Sequence, residues 1–179
     1  PATPSSTPAA TTPEPAPLAG RTIVGDPGHN AVWTKKLLRK VPAGNGRTKP
    51  CNSSGTASDD GWGEHAYTWV QAKAVVAELE KQGARVILTR SNDSGSGPCV
   101  NLRAQTANDN SADLLISIHA DGSLDPRAHG FHIIRSTTMA GGAAVEAASL
   151  RLARQLRTRL DDTDMPRSTY IGSGSAFSP

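Results

Sequence analysis

Two histidines and one glutamate occupy positions from which a fold could gather them. His29 follows the short apolar run 21–24 through Gly25, Asp26, Pro27 and Gly28, and His119 directly follows the Leu-Leu-Ile-Ser-Ile run 114–118. Glu64 opens a long helical stretch after Gly61-Trp62-Gly63, where the helix dipole favours a carboxylate. Two imidazoles and a carboxylate on three separate elements match a catalytic zinc site that keeps its fourth position for water. Spacing alone leaves the ordinary alternatives open: a hydrogen-bonded core histidine at a strand end, and a first-turn glutamate that only partners the dipole. Asp26 and Asp121 flank two of the three and could orient imidazoles as acceptors, with turn capping as the other role for each. His65 projects about 100° around the helix from Glu64, so it is assigned a structural or substrate-facing role. His129 and His132 flank a strand start at Gly130-Phe131, where hydrogen-bonded or exposed histidines are ordinary.

Strand and helix signals alternate around these residues. Runs 21–24, 84–88, 113–118 and 131–134 read as strands, and 63–82, 100–108 and 143–160 as helices. In the first helix Ala66, Trp69, Val70, Val76 and Leu79 recur at spacings compatible with one buried face, and Gly83 stops it. The βαβαβ order implies a single α/β domain with a mostly parallel twisted sheet flanked by helices. Ligands of such sheets bind at the carboxyl ends of strands, which is where His29 and His119 are delivered.

The 179 residues suit one folded unit. No run approaches the roughly 18 consecutive apolar residues that a membrane helix needs. The net charge of +3 is too weak and dispersed to argue for nucleic acid, and 4% aromatic content disfavours base-stacking platforms. Residues 1–17 hold six of the 13 prolines and one charge, Glu14, and read as a disordered Pro/Thr/Ala-rich spacer of the kind that joins an export signal to a secreted domain. The remainder, 18–179, carries 19 basic and 15 acidic residues, a net charge of +4. Cys51 and Cys99 both sit among turn residues, and loop cysteines of an exported domain usually pair. Two reduced surface thiols are the alternative. Between His29 and Glu64, Lys35, Lys36, Arg39, Lys40, Arg47 and Lys49 precede the first acid, Asp59. This basic stretch is either a charged wall beside a cleft, attracting carboxylates or anionic polymers, or a solvated loop.

Val24-Gly25-Asp26-Pro27-Gly28-His29, a Glu opening the next long helix, Val86-Ile87-Leu88-Thr89-Arg90 and Ser117-Ile118-His119-Ala120-Asp121 occur in this order. Together they resemble the zinc-dependent N-acetylmuramoyl-L-alanine amidases of the amidase type 3 family, in particular small secreted mycobacterial and actinobacterial members without a separate wall-binding domain. The likeness spans 20–179. It implies that His29, Glu64 and His119 bind zinc, and that the substrate is the amide between the muramic acid lactyl group and L-alanine in peptidoglycan or a muropeptide. It also implies a secreted, periplasmic or wall-associated protein with no nucleic-acid partner, monomeric when complete. Relative to the family's usual short connection, 33–58 resembles an inserted hairpin that Cys51 would staple to the loop at Cys99.

Two departures stand out. Asn30 replaces the family's usual glycine, a mild change because Asn also tolerates turn conformations. The family's general-base glutamate lies in a late Val-Glu-like strand, and no such segment occurs in these residues, so the domain reads as incomplete at its C-terminus. Asp121 and Glu146 are the nearest substitutes, with Glu146 expected as an exposed helix residue. In the complete enzyme that the resemblance implies, zinc lowers the pKa of its water toward about 7 and the base accepts the proton. The rival readings are a peptidoglycan-binding pseudoenzyme that keeps the cleft without a base, and a zinc carboxypeptidase, which would place its first His and Glu closer in sequence than His29 and Glu64.

Overall fold

A computed structural model describes residues 15–44, 46–171 and 177–178. Most of the expected 1–17 spacer lies outside these residues. Of its last part, Ala16 O accepts the Ala19 N–H at 2.9 Å and Leu18 N donates to Gln82 O at 2.9 Å, so the chain is tied to the domain from about Ala16 onward.

The centre is a parallel three-stranded sheet in the order β4-β1-β5, formed by β1 (Thr22–Pro27), β4 (Arg85–Leu88) and β5 (Leu114–Ile118). Helix α1 (Glu64–Lys81) leads from β1 toward β4, and α2 (Val100–Asp109) leads from β4 to β5 on the other side of β1. The chain therefore reverses direction across β1, a topological switch point whose crevice lies at the strands' carboxyl ends. β1 is the most buried strand, with Val24 wholly enclosed. It runs through Pro27, so Gly25 to Pro27, beyond the expected strand 21–24, extend the strand to within one residue of His29. Register explains this: Gly25 pairs with Leu88 and Ile116, and Pro27 with Ile118.

The buried line of α1 is Glu64, Thr68 and Ala72, at i, i+4 and i+8. Val70 is 49% exposed and leaves the expected apolar face, while Trp69 stays half-buried beneath the Arg90 guanidinium, 5.0 Å from its ring centre. The face that docks on β1 is thus partly polar, because it carries the site and its supports rather than a pure apolar stripe.

The stretch after His29 forms a single 3-10 turn, Lys35–Leu38, and an antiparallel hairpin of β2 (Lys40–Pro42) and β3 (Thr48–Pro50). Cys51 and Cys99 form a disulfide with their Cα atoms 4.4 Å apart. They join Leu37, Val41 and Val100 in a small apolar cluster that roots the hairpin on the start of α2. The expected strand 131–134 does not extend the central sheet. Only β6 (Ile133–Ile134) is a strand, paired with β7 (Phe177–Ser178), and Phe131 makes an isolated bridge to Arg167. Helix α3 (Gly142–Asp161) completes the described elements.

Candidate metal centre

Three elements deliver the site. β1 ends one residue before Gly28 and His29, β5 ends immediately before His119, and Glu64 is the first residue of α1. His29 adopts a left-handed backbone, φ 61°, a conformation that a non-glycine residue keeps only when its surroundings impose it. Arg103, 3% exposed on α2, supplies that constraint. Its guanidinium donates to Pro27 O at 2.7 Å, His29 O at 2.6 Å, Asn30 Oδ1 at 2.6 Å and Asp26 Oδ1 at 2.7 Å. A second buried arginine, Arg90, joins the same strand end to α1 by donating to Pro27 O at 3.1 Å and His65 O at 2.7 Å.

Ligand-capable atoms of His29, Glu64 and His119 lie within 4.8 Å of one another. His29 Nε2 is 3.1 Å from Glu64 Oε2, and His119 Nδ1 is 3.0 Å from Glu64 Oε1. The two imidazoles stand edge to face, 88° apart. His29 Nδ1 is 3.1 Å from Ser53 O, a pairing that makes Nδ1 a donor and leaves Nε2 as the ring nitrogen a cation would take once its proton is displaced. The Glu64 side chain is 3% exposed and that of His29 11%, whereas His119 is 51% exposed, so the group is closed beneath and open on the His119 side. Glycine is required on two walls. A Cβ on Gly28 would sit 2.4 Å from His119 Cε1, and one on Gly55, φ 76°, would sit 2.9 Å from both Glu64 Oε2 and His29 Cγ.

A model of the N-acetylmuramoyl-L-alanine amidase family, Amidase_3, matches residues 23–172. The chain belongs to this amidase family. It is 37% identical over 164 residues to the N-acetylmuramoyl-L-alanine amidase Rv3717 of Mycobacterium tuberculosis, covering 91% of this chain and 67% of that protein. Its fold superposes on the amidase Ami1 of Mycobacterium smegmatis with a TM-score of 0.85 at 41% identity, covering 90% of this chain and 74% of that one. The apo form of Ami1 from Mycobacterium abscessus gives 0.84 at 38% identity, covering 89% and 74%.

In this member of the amidase family, charge is concentrated on Glu64. Burial alone would push its carboxyl up, but hydrogen bonds from His119, His29 and the backbone N–H groups of Ala120 and Thr56 outweigh burial and hold it well below the usual carboxylate range. Burial would likewise push the His29 imidazole down, and its bonds to Glu64 and to the Ser53 carbonyl raise it instead. Asp26 follows the same pattern: burial opposes its charge, and Arg103, Thr89 and Ser117 together keep it ionised.

Asp26 does not orient an imidazole. Its oxygens take Thr89 Oγ1 at 2.6 Å, Arg103 Nη1 at 2.7 Å and Ser117 Oγ at 2.7 Å, which makes it the anchor of the arginine that holds His29. Asp121 Oδ2 pairs with His132 Nε2 at 3.1 Å rather than with His119. His65 Nδ1 faces both carboxylate oxygens of Asp93 at 2.9 Å, and Asp93 is held in turn by Arg90. Glu146 is half-buried and accepts the Met139 N–H at 2.8 Å, just before α3. Sequence reasoning missed Arg103, Arg90 and the Ser53–Thr56 segment. Arg103 left a trace, because it shares the inward face of α2 with Val100 and Ala107 at i−3 and i+4; the backbone carbonyl of Ser53 and the N–H of Thr56 leave none.

Proposed function

We propose that His29, Glu64 and His119 hold a zinc ion, and that the protein hydrolyses the amide between N-acetylmuramic acid and the L-alanine of peptidoglycan stem peptides. The observation that carries this reading is the convergence of two imidazoles and one buried carboxylate, whose ligand-capable atoms lie within 4.8 Å of one another, with no Lys or Arg of the described residues paired to that carboxylate. Two imidazole nitrogens plus one carboxylate oxygen are the donor set zinc prefers when a position is left open. When bound, zinc supplies Lewis acidity toward the scissile carbonyl and lowers the pKa of water.

The chain's own residues build and aim the site. Ser53 O fixes the His29 tautomer, Ala120 N and Thr56 N orient the two oxygens of Glu64, and Arg103 holds the backbone of His29. The exposed side at His119 admits substrate, and the absence of a side chain on Gly28 lets its ring pack against the β1 end. The disulfide fits an oxidising compartment, and no described helix is long and apolar enough to cross a membrane. The disulfide supports export to the cell wall. The test is release of L-alanine-terminated peptide from a soluble muropeptide by the zinc-loaded protein. Cleavage inside the stem peptide with no release at L-alanine would overturn the reading.

A further inference from the structure

The basic hairpin is exposed, anchored at its base and joined to the site. No acid occurs between Asp26 and Asp59. Lys35, Lys36, Arg39, Lys40, Arg47 and Lys49 are all exposed, and none forms an ion pair among the described residues. Val32, Trp33 and Leu38 are also exposed on the same segment, at 44%, 46% and 54%. A segment that merely stays soluble mixes its charges and hides its tryptophan. This one is instead fastened from beneath: the disulfide, Cys51 N to Arg39 O at 2.8 Å, Asn52 N to Leu37 O at 3.1 Å and Val100 N to Cys51 O at 2.8 Å hold its base. Two residues beyond Cys51 the chain reaches Ser53 and then Thr56, which touch His29 and Glu64. The cations therefore sit on the structure that walls the metal centre.

We infer that the hairpin is a docking surface for polymeric peptidoglycan, apart from the cleft that takes the scissile bond. This rests on the amidase reading. Stem peptides repeat carboxylates along a glycan chain, so several can be met at once by a fixed row of cations, while Trp33 and Leu38 offer apolar contact to sugar faces. The surface holds the polymer near the site and adds nothing to a substrate too short to reach both.

The experiment measures partition onto purified sacculi from which phosphate-bearing polymers have been stripped. A Lys35→Gln/Lys36→Gln/Lys49→Gln variant is compared with Arg151→Gln/Arg154→Gln/Arg159→Gln, three exposed cations of α3 that change net charge equally. Melting temperature and zinc stoichiometry establish that both variants are folded. The hairpin variant should bind about tenfold or more weakly at low salt, the helix variant within about twofold of the unchanged protein, and the gap should narrow at about 0.5 M salt. Equal weakening of the two would assign binding to net charge and overturn the inference. Binding that vanishes for the unchanged protein once the phosphate polymers are removed would overturn it as well, and point to those polymers. Release of peptide from a soluble muropeptide by the unchanged protein is scored separately, so that failure of the amidase reading is told apart from failure of the docking surface.

Discussion

Glu64 keeps its charge at a position where burial opposes it, and the four donors responsible come from three places: His29 just past β1, His119 and the Ala120 backbone just past β5, and the segment after Cys51. Replacement by an isosteric amide preserves shape, removes the charge that a cation needs, and turns one oxygen that accepts a backbone N–H from Thr56 or Ala120 into a donor. Glu64→Gln should still fold, at a cost of about 1–3 kcal/mol for the unpaired buried donor, and weaken zinc binding by more than the roughly 10- to 100-fold expected for loss of a supporting partner. Chelator competition measures this, and unchanged affinity would remove Glu64 from the ligand set. Asp26 acts differently, through Arg103. Asp26→Asn leaves the guanidinium buried beside a neutral partner, a defect that typically costs about 3–5 kcal/mol. The pH dependence has a definite sign. A carboxyl held below its ordinary value of 3.8 binds more protons when unfolded, so its stabilisation is fully present above that value and is lost as pH falls through the lower folded value. The unchanged protein should therefore lose stability below about pH 3.8 by a contribution that Asp26→Asn lacks. Denaturant midpoints at pH 3 and pH 6 decide it, and parallel losses in both proteins would contradict it.

At the level of elements, Arg103 shows how α2 acts on a residue at the end of β1. Its planar fork spans Pro27 O, His29 O and Asn30 Oδ1 at once, a pattern that the single ammonium of lysine cannot reproduce. Arg103→Lys should keep the charge opposite Asp26 and the fold, yet lower zinc affinity by roughly tenfold as His29 relaxes from its left-handed backbone; calorimetric zinc titration at matched stability checks this. The hairpin makes a parallel case. The disulfide closes a span of 48 residues and by the chain-entropy argument stabilises the fold by about 4 kcal/mol at most. Reduction should also loosen Ser53 and Thr56 and weaken zinc binding, whereas a purely structural bridge would lower only the melting temperature. These couplings set the limit of what was legible from the residues. Apolar runs 84–88 and 113–118 and the helices at 63–82 and 143–160 follow from local pattern; strand-end delivery makes His29, Glu64 and His119 candidates, and the resemblance to the amidase family is needed to choose them over ordinary core and capping roles, as the signs of export are needed to favour pairing of Cys51 with Cys99. The isolated β6–β7 pair does not, because 131–134 has the same β-forming composition whether or not a neighbouring strand accepts it. Nor does the role of Asp26, whose partners lie 63 to 91 positions away.

The sheet order β4-β1-β5 makes the whole molecule a clamp around one point. β1 and β5 each lead to an imidazole, α1 begins at the carboxylate, and the segment that follows the stapled hairpin sets Gly55 and Thr56 against Glu64 and His29. Long-range closure of this kind means that a cation at the centre ties together segments more than 50 residues apart in the chain. Zinc should therefore stabilise the folded state by ordinary ligand linkage, about 2.7 kcal/mol at a free concentration a hundred times its dissociation constant. For a domain of this size that corresponds to a rise in melting temperature of roughly 5–10 °C over the chelator-treated protein. The rise should grow with the logarithm of free zinc and should be lost in Glu64→Gln, whose carboxylate no longer bridges α1 to the two strands. Magnesium, which demands oxygen ligands in octahedral array, should give little of it. A melting temperature indifferent to zinc in the unchanged protein would mean that the three side chains close the fold through their own hydrogen bonds alone, and the metal centre proposed here would fall with it.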